Sequence, residues 1–175
     1  MSTNSKNKGN RFERTIAKFF QDWTGYKFSR TPGSGGWAKA KDSFGDLVCT
    51  DEKHSRRFPF SIECKSYQDL KFEHILLGTK SCKILSFWSQ AIYDAERANK
   101  IPMLVMKYNN MPKGEAFMMV DDRLINLINH QESNLKKPTM VINTQEHIFG
   151  VYMLSDIKNI NYSLLYKEAR KLLKK

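Results

Sequence analysis

The sequence predicts an α/β (α+β) domain, a central sheet flanked by helices, and three observations carry that reading. Phe12, Ile16, Phe19, Phe20 and Trp23 fall at helical spacing and form one apolar stripe. Residues 44–49 and 58–65 read as two strands joined by the polar loop 50–57, a length that suits an antiparallel hairpin. A second patterned helix then leads into residues 101–107, an almost wholly apolar run of the kind buried inside a sheet.

In chain order, residues 1–10 are small and polar, so the first few are expected to form an arm ahead of a helix starting at Arg11. Glu13 borders the apolar stripe of that helix, while Arg11, Arg14 and Lys18 lie on the opposite side. Gly25 is the stop signal. Residues 26–30 alternate like a strand and run into Thr31-Pro32-Gly33-Ser34-Gly35-Gly36-Trp37, followed by Lys39 and Lys41. Glycines let a backbone approach a phosphate closely, Ser34 offers a hydroxyl, the two lysines offer charge and Trp37 a stacking surface. The same residues fit a solvated connection equally well.

The 58–65 stretch ends in Glu63-Cys64-Lys65. Strand side chains repeat every second residue, so Glu63 and Lys65 share one face while Ile62 and Cys64 point the other way. A carboxylate and an ammonium at the end of an apolar strand are costly unless solvated, paired or metal-bound. Asp46 on the neighbouring strand supplies a second carboxylate. Together the three could hold a hard divalent cation through oxygens while the lysine steadies a water. Asp42 and Asp51 are rival carboxylates, but they sit in loop sequence.

The helix from Lys83 carries the stripe Ile84, Trp88, Ala91, Ile92 and Ala95, and Asn99-Lys100 ends it. Residues 116–120 are expected to add a strand and Leu124, Ile125, Leu127 and Ile128 a short helix. Residues 140–142 and 149–154 read as late strands or irregular packing. A terminal amphipathic helix over 162–175 sets Leu164, Leu165, Ala169 and Leu172 against Lys167, Arg170, Lys171, Lys174 and Lys175. Its basic face is either a DNA contact or a solvated surface.

The chain has 29 Lys and Arg against 18 Asp and Glu, a net charge of +11 that favours a polyanionic partner, nucleic acid before an anionic membrane surface. No apolar run is long enough to span a membrane, and the N-terminus shows no signal-peptide pattern. Cys49, Cys64 and Cys82 are odd in number and lack Cys-x-x-Cys spacing, so they read as reduced thiols of a cytoplasmic protein.

The order of these features resembles the PD-(D/E)xK nuclease superfamily and, within it, the archaeal-type Holliday junction resolvases and their phage relatives. The resemblance is carried by Lys8-Gly9, Phe12-Glu13-Arg14, Arg30, Gly33-Ser34-Gly35, Gly45-Asp46 and Ile62-Glu63-Cys64-Lys65-Ser66. Trp88-Ser89-Gln90-Ala91 and Pro102-Met103-Leu104-Val105-Met106-Lys107 look like the helix and strand that close such a fold. It covers residues 8 to 120, leaves 121–175 as a C-terminal extension with a helical end, and implies a restriction-endonuclease-like core with a mixed sheet in a single 1–175 domain. The usual proline before the strand aspartate is Gly45 here.

The resemblance implies that Asp46, Glu63 and the backbone carbonyl of Cys64 bind Mg²⁺, with Mn²⁺ as substitute, and that Glu13 supports the ion directly or through water. It makes Glu13, Asp46, Glu63, Lys65 and Ser34 the catalytic set, with Lys65 orienting or helping to deprotonate the attacking water. Contacts to DNA are expected from Lys8, Arg11, Arg14, Arg30, Gly33, Ser34, Gly35, Lys39 and Lys41. The implied activity is metal-dependent endonucleolytic cleavage of branched DNA, with a homodimer supplying two symmetric incisions. The alternatives are a restriction-, nicking- or repair-type endonuclease on duplex DNA, or a basic DNA-binding module without cleavage. Retention of Glu13, Asp46, Glu63 and Lys65 together argues against the module.

Overall fold

The computed structural model describes residues 3–31, 44–78, 82–129, 137–144 and 148–174. Helix α1 spans Thr3–Thr24 and buries Phe12, Ile16, Phe19 and Phe20. It begins eight residues before the expected start at Arg11. Once the apolar half is packed, each added turn gains hydrogen bonds without a new nucleation cost, so polar residues can extend a helix that they could not start. Asn10 is also held from outside the helix, by Arg30 Nη2 at 2.7 Å. Gly25, at φ +76°, ends α1 with its N–H on the Gln21 carbonyl at 2.9 Å.

Strand β1 (Phe28–Arg30) pairs antiparallel with β2 (Leu47–Cys49), and β2 pairs antiparallel with β3 (Phe60–Tyr67). Both central strands start later than the sequence predicts. Gly45 has φ +81°, outside extended geometry, so β2 begins only at Leu47. Pro59 has no N–H to give a ladder, so β3 begins at Phe60 and runs on to Tyr67. A short 3-10 turn, Ser55–Arg57, lies in the β2–β3 connection.

After α2 (Glu73–Leu76) comes α3 (Lys83–Arg97), which buries Ile84, Trp88, Ala91, Asp94 and Ala95. It feeds β4 (Ile101–Tyr108), parallel to β3 along eight register positions and buried from Ile101 to Met106. Strand β5 (Phe117–Asp121) follows, then α4 (Asp122–Asn129), β6 (Met140–Asn143), β7 (Ile148–Met153), α5 (Leu154–Ile157) and α6 (Tyr162–Leu172). The late segments left open between strand and irregular packing are both strands, in a seven-stranded mixed sheet of order β1-β2-β3-β4-β5-β7-β6.

The sheet has a core on each face. Phe12, Phe20, Ile62, Met103, Tyr152 and Leu165 meet under α1 and α6, and Trp88, Leu104, Met106, Met119, Phe149 and Val151 meet under α3. On α6 the buried stripe is Tyr162, Leu165 and Ala169. Leu164, expected on that stripe, is 43% exposed, because it falls one position off the 3–4 spacing the packed side chains keep.

Candidate active site

Strand β3 delivers its residues by alternation. Phe60, Ile62 and Cys64 join the core under α1, and Glu63 and Lys65 turn to the other face. Glu63 is 2% exposed and accepts a hydrogen bond from Lys65 Nζ. The Lys65 ammonium also sits 5.7 Å from the ring centroid of Phe87 on α3.

Asp46 is fixed between its two neighbouring segments. Its N–H donates to the Ile62 carbonyl at 2.8 Å, and its own carbonyl accepts from Thr31 N–H at 2.9 Å. Its Oδ2 accepts from the Cys64 N–H at 2.8 Å. The main chain can pass this closely because residue 45 is glycine: a Cβ there would lie 2.6 Å from the Ile62 carbonyl oxygen. The left-handed φ of +81° reinforces the requirement. The residue that departs from the family pattern is thus the one that sets Asp46 against β3. Alternate strand residues turn their N–H and C=O to the same neighbour, so the Cys64 carbonyl points to the side on which Asp46 lies.

The carboxylates are electrostatically costly. Burial pushes the Glu63 carboxyl up to about 7, the Asp46 charge adds to the rise, and the Lys65 ammonium opposes it. Asp46 is likewise raised by burial, opposed by the Cys64 N–H and Lys65 and assisted by the charges of Glu13 and Asp94. Burial alone would lower Lys65, but Glu63 and Asp46 outweigh it and hold the ammonium protonated.

Glu13 reaches this group from α1. Its carboxylate is paired with the Arg30 guanidinium, which also donates to Asn10 Oδ1, so one arginine clamps α1 to β1 beside Asp46. The structure therefore brings Glu13, Arg30, Asp46, Glu63 and Lys65 together. Lys8, Arg11 and Arg14 are exposed along α1. Gly33, Ser34, Gly35, Lys39 and Lys41 lie outside the described residues.

Asp94 was not foreseen. It is 3% exposed on α3, and its charge acts on both Asp46 and Glu63. The signal was present in the sequence: Asp94 lies three residues after Ala91 and one before Ala95, a carboxylate set into an apolar helix stripe.

Among the described residues, no group of three or more His, Cys, Asp and Glu side chains is gathered to hold a metal ion. What the chain presents is two buried carboxylates, Asp46 acting on Glu63 through its charge, with the Cys64 carbonyl turned toward the Asp46 side. Oxygen donors of this kind, few in number, suit Mg²⁺, which keeps several waters and takes phosphate oxygens as further ligands. Asp46 and Glu63 are both raised by burial, and the Asp46 charge raises Glu63 further, a cost that a divalent cation would relieve. The donor set fits such an ion.

The chain is similar to Protein D14 of Escherichia phage T5, with 26% identity over 143 residues, 81% of this chain and 88% of that one. No solved structure matches it significantly. No described helix is long and apolar enough to cross a membrane. The match to the family described as "Phage putative PDDEXK endonuclease" runs over residues 4–167, so it takes in α1, the carboxylate strands and the later strands β6 and β7 alike, and the chain belongs to that family.

Proposed function

We propose that the protein is a metal-dependent endodeoxyribonuclease whose substrate is branched DNA. Membership of the family supports nuclease activity. The observation that carries the site is the pair Asp46 and Glu63, buried beside the protonated Lys65 in a chain of net charge +11. A concentrated acidic site on a basic protein fits a cation and a phosphate entering together.

Asp46, Glu63 and the Cys64 carbonyl would hold Mg²⁺ or Mn²⁺, which when bound lowers the pKa of a water and offsets charge building on the scissile phosphate. The remaining work belongs to the chain. Lys65, hydrogen-bonded to Glu63, would orient the attacking water or donate to a phosphate oxygen. Arg30 pairs with Glu13 beside the site, and Ser34 with the glycines around it would contact the phosphate. Lys8, Arg11, Arg14, Lys39 and Lys41 would meet the backbone further out.

The preference for branched DNA rests on the resemblance to junction resolvases. Paired incisions need two sites, hence a homodimer acting where phage DNA recombines, in the host cytoplasm. A competition assay in Mg²⁺ tests this, with a labelled four-way junction and a linear duplex of the same arm sequences in one tube. Symmetric nicks near the crossover with the duplex spared are expected. Equal or greater cutting of the duplex would move the assignment to a restriction- or repair-type enzyme. Wild-type cleavage by Glu63→Ala would overturn the site itself.

A further inference from the structure

Beyond the carboxylate cluster, a second charged feature sits where β3 is entered. A cleft of about 640 Å³ opens between the 3-10 turn and α6, lined by Arg57, Tyr166, Lys167, Arg170, Lys171 and Lys174. Five of these six residues are cationic and none is acidic. Lys171 is paired with Glu168 at 2.7 Å, while Arg57, Lys167, Arg170 and Lys174 form no ion pair among the described residues. Like charges along a concave wall repel one another, and a polyanion laid into it relieves that repulsion.

The walls are braced from behind. Tyr166 packs edge-on against Tyr26, whose ring is stacked on His54 at 3.9 Å and 12°. His54 immediately precedes the 3-10 turn and is held by Asp51 at 2.7 Å. Tyr162, one helical turn before Tyr166, adds a second edge contact to Tyr26. Arg57 and the basic side of α6 are thus joined through one aromatic stack, so the cleft has a framework that a scatter of surface lysines lacks.

Position relates the cleft to the carboxylates. Arg57 precedes Glu63 by six residues along the entry into β3. At about 3.3 Å per residue that is a span of at most about 20 Å, or about six base pairs of duplex at about 3.4 Å each.

We propose that this cleft is a second seat for the DNA phosphate backbone, holding the duplex arm that runs away from the scissile bond. The choice of DNA as the polyanion rests on the nuclease reading; the charge and shape of the cleft do not. Each phosphate neutralised contributes about 0.9 to the slope of log Kobs against log[salt].

The test is fluorescence-anisotropy binding of a 30-bp duplex in EDTA over a salt series, with wild type, Arg170→Glu/Lys174→Glu and Arg57→Gln. The double variant should lower the slope by about 2 and Arg57→Gln by about 1, with the larger affinity loss at low salt. Arg57 and Lys174 are exposed and Arg170 is half-buried, and matching thermal melts would show the fold intact. Wild-type slopes in both variants would overturn the proposal, as would unchanged DNA binding accompanied by lost binding to anionic phospholipid vesicles. Because the assay omits divalent cations, it is independent of cleavage. A lowered slope with no cutting in Mg²⁺ would retain the cleft and sink the nuclease reading, and cutting with unchanged slopes would do the reverse.

Discussion

Glu63 places opposed demands on the molecule, since the residue suited to a cation costs stability without one. Its carboxyl is raised from 4.5 to about 7, so the folded chain holds that proton more tightly than the unfolded chain does. The associated stability is complete below pH 4.5 and is lost as pH rises through about 7. In urea melts at pH 5 and pH 8, wild type should therefore be less stable at the higher pH. Glu63→Gln should reduce that difference by up to about 3 kcal/mol and abolish cleavage. A pH dependence identical to wild type would show that Glu63 ionises freely in the fold. Gly45 is the second such residue. Gly45→Ala forces a Cβ against the Ile62 carbonyl in a left-handed conformation, at a cost of about 1–3 kcal/mol, and displaces Asp46. A lowered melting temperature accompanied by lost cleavage is expected; a variant that melts and cuts like wild type would refute the close approach.

Among the elements, α1 does more than cover the sheet. It carries Glu13, and the Arg30 guanidinium from β1 bridges Glu13 to Asn10, so the entry angle of α1 and the position of the acidic cluster are set by one fork of donors. Lysine keeps the charge but cannot span two acceptors in a plane. Arg30→Lys should therefore retain the fold, by circular dichroism, and lower cleavage by about tenfold, roughly 1.4 kcal/mol of transition-state stabilisation. Unchanged rates would reduce Arg30 to a packing role. The other end of α1 is anchored by Trp23, whose Nε1 donates to the Ile160 carbonyl at 2.9 Å just ahead of α6.

At the scale of the whole molecule, the segment after Asp121 is part of the sheet. Strand β7 lies between β5 and β6, and Tyr152, Leu165 and Ala169 are buried in the same core as Phe12 and Ile62. A chain ending at Asp121 would expose β5 and open that core, so it should show no cooperative melt. A sharp transition in that fragment would establish residues 1–121 as a folding unit. The acidic site makes a second global prediction. Ligand binding to the native state raises the melting temperature, and a cation binds carboxylates that have lost their protons. The shift produced by Mg²⁺ should be large at pH 8.5 and small at pH 5.5; equal shifts would place the ion elsewhere.

The sequence by itself determined the parts that depend on local periodicity. The stripe from Phe12 to Trp23, the alternation that puts Glu63 and Lys65 on one face, the Gly25 stop and the apolar run of β4 are properties of a helix or strand read alone. Motif order supplied Asp46 and Glu13 as partners. Tertiary structure decided what depends on distant neighbours. Asn10 extends α1 because Arg30 reaches it, Gly45 is required because the Ile62 carbonyl passes beside it, and Asp94 joins the acidic cluster because α3 lies over β3. The late strands β6 and β7 were ambiguous as short apolar runs, since only pairing with β5 tells a strand from a loop. Periodicity is written within one element, whereas burial, close approach and mutual repulsion exist only once several elements share the same space.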